Sequence, residues 1–344
     1  MMKIYYIVDN VNPRHGGGRY AGDLISAIKN TGCEVVVLEQ KSKRLGGLIL
    51  DAIKIRKHLK NCDIVHAIDG YPYAIVAAVA NIGLNKKLII TVQGTYAVAP
   101  LYNFVAGTLL KWAYKRADKI IAISQYTQNE ILKKANLSNI EVINPGIDFK
   151  KFYKIPVYSD EKFILSVGAL KYRKGYHISI PAFALAKKEL PDLKYKIVGS
   201  QKDVAYFKHL KDLAFENGVA GDVEFLSGVS DEALSDLYRR AKLFILTSVN
   251  ENHHFEGFGL VFLEAAAAAL PVIGTLGNGI EDAVKNNYNG ILAPQNDIEK
   301  TAKAITDIIK NENLTKEMSL NSVAWAEDHD WGKVVLKYLK AYGQ

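Results

Sequence analysis

The sequence predicts an α/β protein of two doubly wound domains, each a parallel sheet with helices on both faces. Short Val/Ile-rich runs alternate with longer amphipathic stretches. The alternation stops once, at an aperiodic segment with prolines, and then resumes. The length of 344 residues suits about two domains. A hydrophobic share of 49%, a charged share of 23% and a mean hydropathy of -0.01 exclude a disordered or fibrous chain.

In the first half, strands are expected at 3–8, 34–38, 64–67, 88–92, 119–123 and 140–143, each an apolar run of strand length. Helices are expected between them, around 18–31, 47–60, 71–83, 101–117 and 126–135. The segment from Asn144-Pro145-Gly146-Ile147-Asp148 through Tyr158-Ser159-Asp160 has two prolines and no periodicity, as a linker would. Beyond it, 163–167, 195–198, 223–226, 243–246, 271–273 and 290–292 are strand-like, and 297–311, 313–326 and 331–342 have helical spacing. The expected domains are 1–150 and 151–330, with a C-terminal helix in 331–344 packing back on the first. Open α/β sheets bind ligands beyond the carboxyl ends of their strands, so two in tandem can face each other across a cleft.

Residues 1–150 hold 20 Lys+Arg against 11 Asp+Glu, and residues 151–344 hold 24 against 25. The excess positive charge is N-terminal, which suits an anionic surface or polyanion. No aromatic-interleaved basic stripe accompanies it, so no nucleic-acid partner is expected. Cys33 and Cys62 make no framework and read as buried thiols in a reducing compartment. The chain opens directly into a strand without a cleavage site, so a cytoplasmic location is expected. Leu88 to Leu110 is 23 residues without a charge, but Gln93, Gly94, Pro100 and Asn103 interrupt it; it reads as strand, loop and helix start rather than a membrane span.

Three loops that follow strands carry candidate chemistry. Asn12-Pro13-Arg14-His15-Gly16-Gly17-Gly18-Arg19 offers glycines at a strand-to-helix junction, where backbone amides can meet a phosphate or sugar. It does not match G-x-G-x-x-G. Gly168-Ala169-Leu170-Lys171-Tyr172-Arg173-Lys174-Gly175 clusters cations able to stabilise a diphosphate leaving group. Phe255-Glu256-Gly257-Phe258-Gly259-Leu260-Val261-Phe262-Leu263-Glu264 sets two acids either side of a glycine-containing bend. Were every step helical, they would stand about 12 Å apart, a separation suited to gripping opposite ends of an extended ligand. Glu264 lies in an apolar run, where unpaired carboxylates are rare. Leu276-Gly277-Asn278-Gly279-Ile280-Glu281 reads as a further anion-compatible nest.

Residues 256–264 resemble the E-x7-E signature of the retaining glycosyltransferases of family 4, which have the GT-B fold of two Rossmann-like domains. The resemblance spans nearly the whole chain through Gly16-Gly17-Gly18, Ala122-Ile123-Ser124, Asn144-Pro145-Gly146, Val167-Gly168 with Lys174-Gly175, Glu224-Phe225-Leu226-Ser227-Gly228-Val229, and Pro271-Val272-Ile273. It implies a retaining hexosyltransferase that moves a sugar from a nucleotide-sugar donor to a hydroxyl of a glycan or lipid-linked acceptor, as in polysaccharide biosynthesis. No cofactor or metal is implied.

By the resemblance, Glu256 is the sugar-side acid, and Lys174 with Arg173 or Lys171 binds the diphosphate, aided by amides of Gly259, Leu260 and Val261. Glu264 receives the ribose hydroxyls, Val229 contacts the base with Leu234 packing beside it, and Gly168 lines the donor site. Gly17 and Gly18 face the diphosphate or acceptor. Two departures stand out. Ala169 replaces the usual Arg after the strand-end glycine, so Lys171 or Arg173 must supply that charge. Gln93-Gly94 replaces the usual His-Gly, and Gln is no base near neutral pH. Retention is usually explained by front-face departure of the nucleoside diphosphate, whose oxygen helps deprotonate the acceptor, so a protein base is not required.

His66, Asp69, Tyr71 and Tyr96 are further cleft candidates, His66 reading equally as a structural histidine. His253 and His254 are adjacent and point apart, which disfavours a metal site. The basic amphipathic segment 101–116, with Lys41, Lys43, Arg44, Lys54, Arg56, Lys57 and Lys60, suits peripheral attachment to an anionic membrane face. A nucleotide-sugar epimerase or a non-catalytic sugar-nucleotide binder of the same fold are the alternatives.

Overall fold

The computed structural model describes residues 1–12, 16–40, 45–153 and 161–344. The loop residues Pro13, Arg14 and His15, the basic Lys41, Lys43 and Arg44, and linker residues 154–160 lie outside the described residues. The chain forms two compact units, Met1–Gly146 with Asp330–Gln344, and Ile147–His329.

The first unit is built from β1 (Lys3–Val8), α1 (Gly16–Asn30), β2 (Glu34–Glu39), α2 (Leu45–Leu59), β3 (Ile64–Ile68), α3 (Ile75–Ala80), β4 (Lys87–Val92), α4 (Thr95–Val98), α5 (Phe104–Arg116), β5 (Lys119–Ala122), α6 (Gln125–Leu132) and β6 (Ile140–Val142). Its parallel sheet runs β2-β1-β3-β4-β5-β6. β1 and β3–β5 are buried on both faces, hence their largely apolar runs, broken only by the mutually bonded His66 and Thr91 and by lysines at strand starts. Because β1 lies between β2 and β3, the direction of winding reverses there, and the crevice beyond their carboxyl ends is the ligand edge of this unit. Right-handed crossovers put α1 on one face and α2, α3 and α5 on the other, where α3 packs against both neighbours.

The helix expected over 71–83 is shorter. Pro72 lacks an N–H and biases Tyr71 to extended backbone, so a turn over Gly70–Ala74 precedes α3. The helix expected over 101–117 is divided at Asn103, whose side chain accepts from the Val105 and Ala106 amides and starts α5. The uncharged Leu88–Leu110 stretch becomes β4, α4, a short turn and α5. No described helix is long and apolar enough to cross a membrane.

The last helix of the chain, Trp331–Tyr342, belongs to this unit and packs on α1. Its Tyr342 hydroxyl meets the Tyr6 hydroxyl at 2.8 Å and His66 Nδ1 at 2.7 Å, while His66 Nε2 meets Thr91 Oγ1 at 2.8 Å. Tyr338 bonds Tyr20 in the same way.

The second unit comprises α7 (Phe149–Phe152), β7 (Phe163–Val167), α8 (Tyr176–Lys187), β8 (Lys194–Val198), α9 (Val204–Glu216), β9 (Val223–Leu226), α10 (Asp231–Arg240), β10 (Leu243–Ile245), α11 (Leu260–Ala267), β11 (Val272–Thr275), α12 (Ile280–Ala283), β12 (Gly290–Ala293), α13 (Ile298–Lys310) and α14 (Glu312–Asp328); the Trp331–Tyr342 helix is then α15. The expected linker contains α7, a turn capped by Asp148. Its Phe149 and Phe152 pack on Ala266, Ala267 and Ala326. The parallel sheet runs β12-β11-β10-β7-β8-β9, so its winding reverses between β7 and β10. The loops after those two strands are the cation-rich and two-acid segments singled out in the sequence.

Candidate active site

The loop after β7 is held to the segment after β10 by two hydrogen bonds to its main-chain carbonyls. Thr247 Oγ1 donates to the Gly175 carbonyl at 2.7 Å, and the Val249 amide donates to the Arg173 carbonyl at 2.9 Å. Gly175 caps α8 at φ 72°, and a Cβ there would stand 1.7 Å from the Thr247 carbonyl oxygen. Only glycine satisfies both conditions. Arg173 and Lys174 are thereby fixed one turn ahead of α8.

Across the switch point, Phe255 and Phe258 are buried and anchor the bend, leaving Glu256 between them. Its Oε2 receives Lys174 Nζ at 2.6 Å and Arg173 Nη1 at 3.0 Å. The Glu256 and Lys174 side chains are 12% and 13% exposed, and that of Arg173 31%. Burial alone would raise the Glu256 carboxyl, but Lys174 and then Arg173 outweigh it and hold it down at about 2. Lys174 is itself lowered, chiefly by burial, with Arg173 and Lys171 adding to the effect against the pull of Glu256. One carboxylate thus faces two cations, with Lys171 near enough to act on Lys174, a site with surplus positive charge. Gly259 caps α11 without a side chain, so the amides of Leu260 and Val261 open the helix with no side-chain acceptor. Gly168 closes β7, its amide donating to Val198.

The span from Glu256 to Glu264 is not one helix, since α11 begins at Leu260 and Glu256 sits in the bend before it. Glu264 is 1% exposed, and its Oε2 accepts from the Tyr238 hydroxyl at 3.1 Å. This partner was not visible in the sequence, where the two residues are 26 apart. Tyr238 shares a face of α10 with Leu234, four residues earlier, so the structure brings Leu234 and Glu264 to one flank of the unit. Val229, half-buried, precedes α10, which Ser230 caps. Thr247 was missed as well; its only sequence signal is its place just past a strand end at the switch point.

The nest proposed at Gly277 is already filled, because Glu281 Oε1 accepts from the Gly277 amide at 2.6 Å. His253 and His254 gather no ligand set, and among the described residues no group of three or more His, Cys, Asp or Glu side chains is arranged to hold a metal.

In the first unit, Gly16, Gly17 and Gly18 form the first turn of α1 rather than the loop before it. Gly18 is packed so closely that a Cβ would meet Asn10 Oδ1 and Asn12 O at 2.5 Å. A Cβ on Gly17 would lie 3.2 Å from Gln93 Oε1, so these two candidates meet at the carboxyl edge. Asp69 joins them at φ 85°, its Oδ1 accepting from the Gly70 amide at 2.7 Å. Burial raises its carboxyl to about 6. Tyr96 is exposed on the same edge. His66 does not line this edge. It is wholly buried in β3 with both ring nitrogens bonded, and burial lowers it to about 3, which makes it a neutral structural histidine.

The family described as Glycosyl transferases group 1 matches residues 148–325, and that described as Glycosyltransferase Family 4 matches residues 14–151. An uncharacterized glycosyltransferase of Methanocaldococcus jannaschii is 29% identical over 299 residues, covering 86% of this chain and 80% of that protein. A D-inositol 3-phosphate glycosyltransferase of Mycolicibacterium smegmatis is 29% identical over 243 residues, 66% of this chain and 53% of that one. The crystal structure of Anabaena HepE in complex with UDP-glucose superposes with a TM-score of 0.82 at 20% identity, covering 99% of this chain and 100% of the other. WaaG, a glycosyltransferase involved in lipopolysaccharide biosynthesis, superposes at 0.73 with 18% identity, over 99% of each chain. The two parallel sheets are those of the GT-B fold, and the chain belongs to the glycosyl transferases group 1, the family 4 type of glycosyltransferase.

Proposed function

We propose that the protein transfers a hexosyl group from a nucleotide-sugar donor to a hydroxyl of a glycan or lipid-linked acceptor, with retention at the anomeric carbon. The observation that carries the reading is the cluster at the second unit's switch point, where Glu256 lies against Lys174 and Arg173 beside the uncapped start of α11. Negative charge grows on the departing diphosphate, and fixed cations with the Leu260 and Val261 amides stabilise it without reorganisation.

In this reading Lys174 and Arg173, with Lys171 at the rim, exchange part of their contact with Glu256 for the diphosphate. Glu256 then accepts hydrogen bonds from donor sugar hydroxyls. Glu264, oriented by Tyr238, accepts from the ribose, and the base packs by Val229 and Leu234 with Gly168 alongside. Gly17, Gly18, Gln93 and Tyr96 contact the acceptor or the diphosphate; His66 has no part. The leaving diphosphate takes the acceptor proton, so Gln93 need only position a hydroxyl.

A panel of UDP-, GDP- and ADP-sugars screened for thermal stabilisation tests the donor half, since a ligand of the folded state raises its melting temperature. The expected result is one donor class that stabilises, followed by transfer to an acceptor with the anomeric configuration kept by NMR. An altered sugar formed from donor alone would indicate an epimerase, and binding without transfer or slow donor hydrolysis a non-catalytic binder. Either would overturn the proposal.

A further inference from the structure

The turn Tyr172–Lys174, which carries two of the site's cations, is tied at its far end, where Gly175 meets Thr247. Upstream, the last main-chain tie to a neighbouring loop is at Leu170, whose amide donates to the Ser200 carbonyl at 2.9 Å. Lys171 then leads in on extended backbone, exposed and without a side-chain cap. The near end of the turn is held instead by a ring. Tyr172 lies face to face on His177, the centroids 4.2 Å apart and the planes 17° from parallel. His177 is the second residue of α8, so the stack folds the turn back onto the helix that follows it. At 50% exposure Tyr172 adds little to the core, and the stack serves the shape of the turn rather than the stability of the unit.

His177 is itself fixed from the next helix. Its Nδ1 stands 2.9 Å from the hydroxyl of Tyr206 in α9, and its amide donates to the same oxygen at 3.3 Å. Tyr206 is buried, and Asp203 caps α9 by accepting from the Tyr206 amide at 3.1 Å, so both its ring and its main chain are held. His177 Nε2 is buried and meets no partner among the described residues, so a second ring proton would be left unpaired there. Burial, and then His209, lower the imidazole, and the ring facing Tyr172 is neutral. A neutral ring does not repel Lys171 and Arg173, as imidazolium would.

We propose that Tyr172, His177 and Tyr206 form a positioning relay that sets Arg173 and Lys174 against the diphosphate. Tyr172 orients the turn, His177 orients Tyr172, and Tyr206 orients His177. All three act through the cations, as positioning residues rather than catalytic ones. The relay rests on the transfer reading, which makes those cations the partners of the diphosphate.

Inorganic pyrophosphate is the probe, because it presents the diphosphate of a sugar-nucleotide donor without base or sugar. Its affinity for the full chain is measured by calorimetry, beside hydrogen exchange of the Lys174 and Gly175 amides in the ligand-free protein. Tyr172→Leu keeps bulk but removes the aromatic face. It should bind pyrophosphate about tenfold more weakly and exchange those amides about tenfold faster. Its melting temperature should stay within about 2 °C of the parent. Tyr172→Phe, which keeps the ring, should restore both readouts. Tyr206→Phe, one helix away, should weaken binding about threefold. The Tyr172→Leu/Tyr206→Phe pair should bind no worse than Tyr172→Leu alone, since Tyr206 acts only through the stack. Additive losses in the pair would overturn the relay, as would Tyr172→Leu with the parent's affinity and exchange. A large fall in its melting temperature would also do so, by assigning the stack to stability. In each of these results a parent that binds pyrophosphate leaves the transfer reading standing, whereas a parent that binds none would overturn both.

Discussion

Lys174 Nζ lies 2.6 Å from Glu256 Oε2, in a largely buried pair that spans the switch point of the second sheet. The carboxylate partly neutralises the cations that the diphosphate reading requires. Removing its charge while keeping its shape should therefore free them. Glu256→Gln is expected to bind a nucleoside diphosphate as tightly as the parent or a few-fold tighter by calorimetry, even as transfer falls. A loss of diphosphate affinity would mean that the carboxylate organises the cations rather than competing for them.

Glu264 and Tyr238 form the second test. Glu264→Ala removes a buried acceptor and leaves the Tyr238 hydroxyl without it, so donor KM should rise about tenfold to a hundredfold with a smaller change in kcat. Tyr238→Phe leaves the carboxylate in place and should raise KM only about threefold to tenfold. Steady-state kinetics with varied donor separates the two, and equal effects on kcat would contradict a ground-state binding role.

The close approach at Gly175 makes a backbone prediction. Gly175→Ala forces a side chain into left-handed backbone and against the Thr247 carbonyl, a cost of about 2–3 kcal/mol or more. A fall of about 5–10 °C in the melting temperature is expected, with weakened donor binding because Lys174 is the adjacent residue. Unchanged melting would show that the two loops are not lashed there.

His66 gives a pH test with a definite sign. Its value falls from the usual 6.5 to about 3 in the folded unit, so between those limits the unfolded chain binds the extra proton. The stability this group contributes is present above 6.5 and is lost as pH falls toward 3, at about 1.4 kcal/mol per pH unit at most. His66→Gln, which has no such titration, should lose less stability than the parent between neutral pH and pH about 4. Denaturant melts across that range check it, and parallel slopes would contradict a neutral buried imidazole.

Much of the fold was legible because parallel strands buried on both faces must be largely apolar, as β1, β4 and β7 are. What the residues misled on has local causes. Pro72 shortened one helix and Asn103 divided another, each overriding periodicity through a missing donor or a cap. The cations and acids of the candidate site stood out through their place after strands, whereas Tyr238 and Thr247 did not, because their contacts depend on which strands become neighbours. His66 looked equally suited to a cleft or a core, and only the arrival of Tyr342, 276 residues later, separates the two.

The central claim is that Glu256 and Lys174 act together on the sugar diphosphate. It is tested most directly by the initial rate of sugar transfer, at saturating donor, in Lys174→Ala and Glu256→Ala with their folds verified by melting. Each rate is expected to fall about a hundredfold, as when one preorganised contact worth about 3 kcal/mol is removed. Near-normal rates in both folded variants would contradict the account.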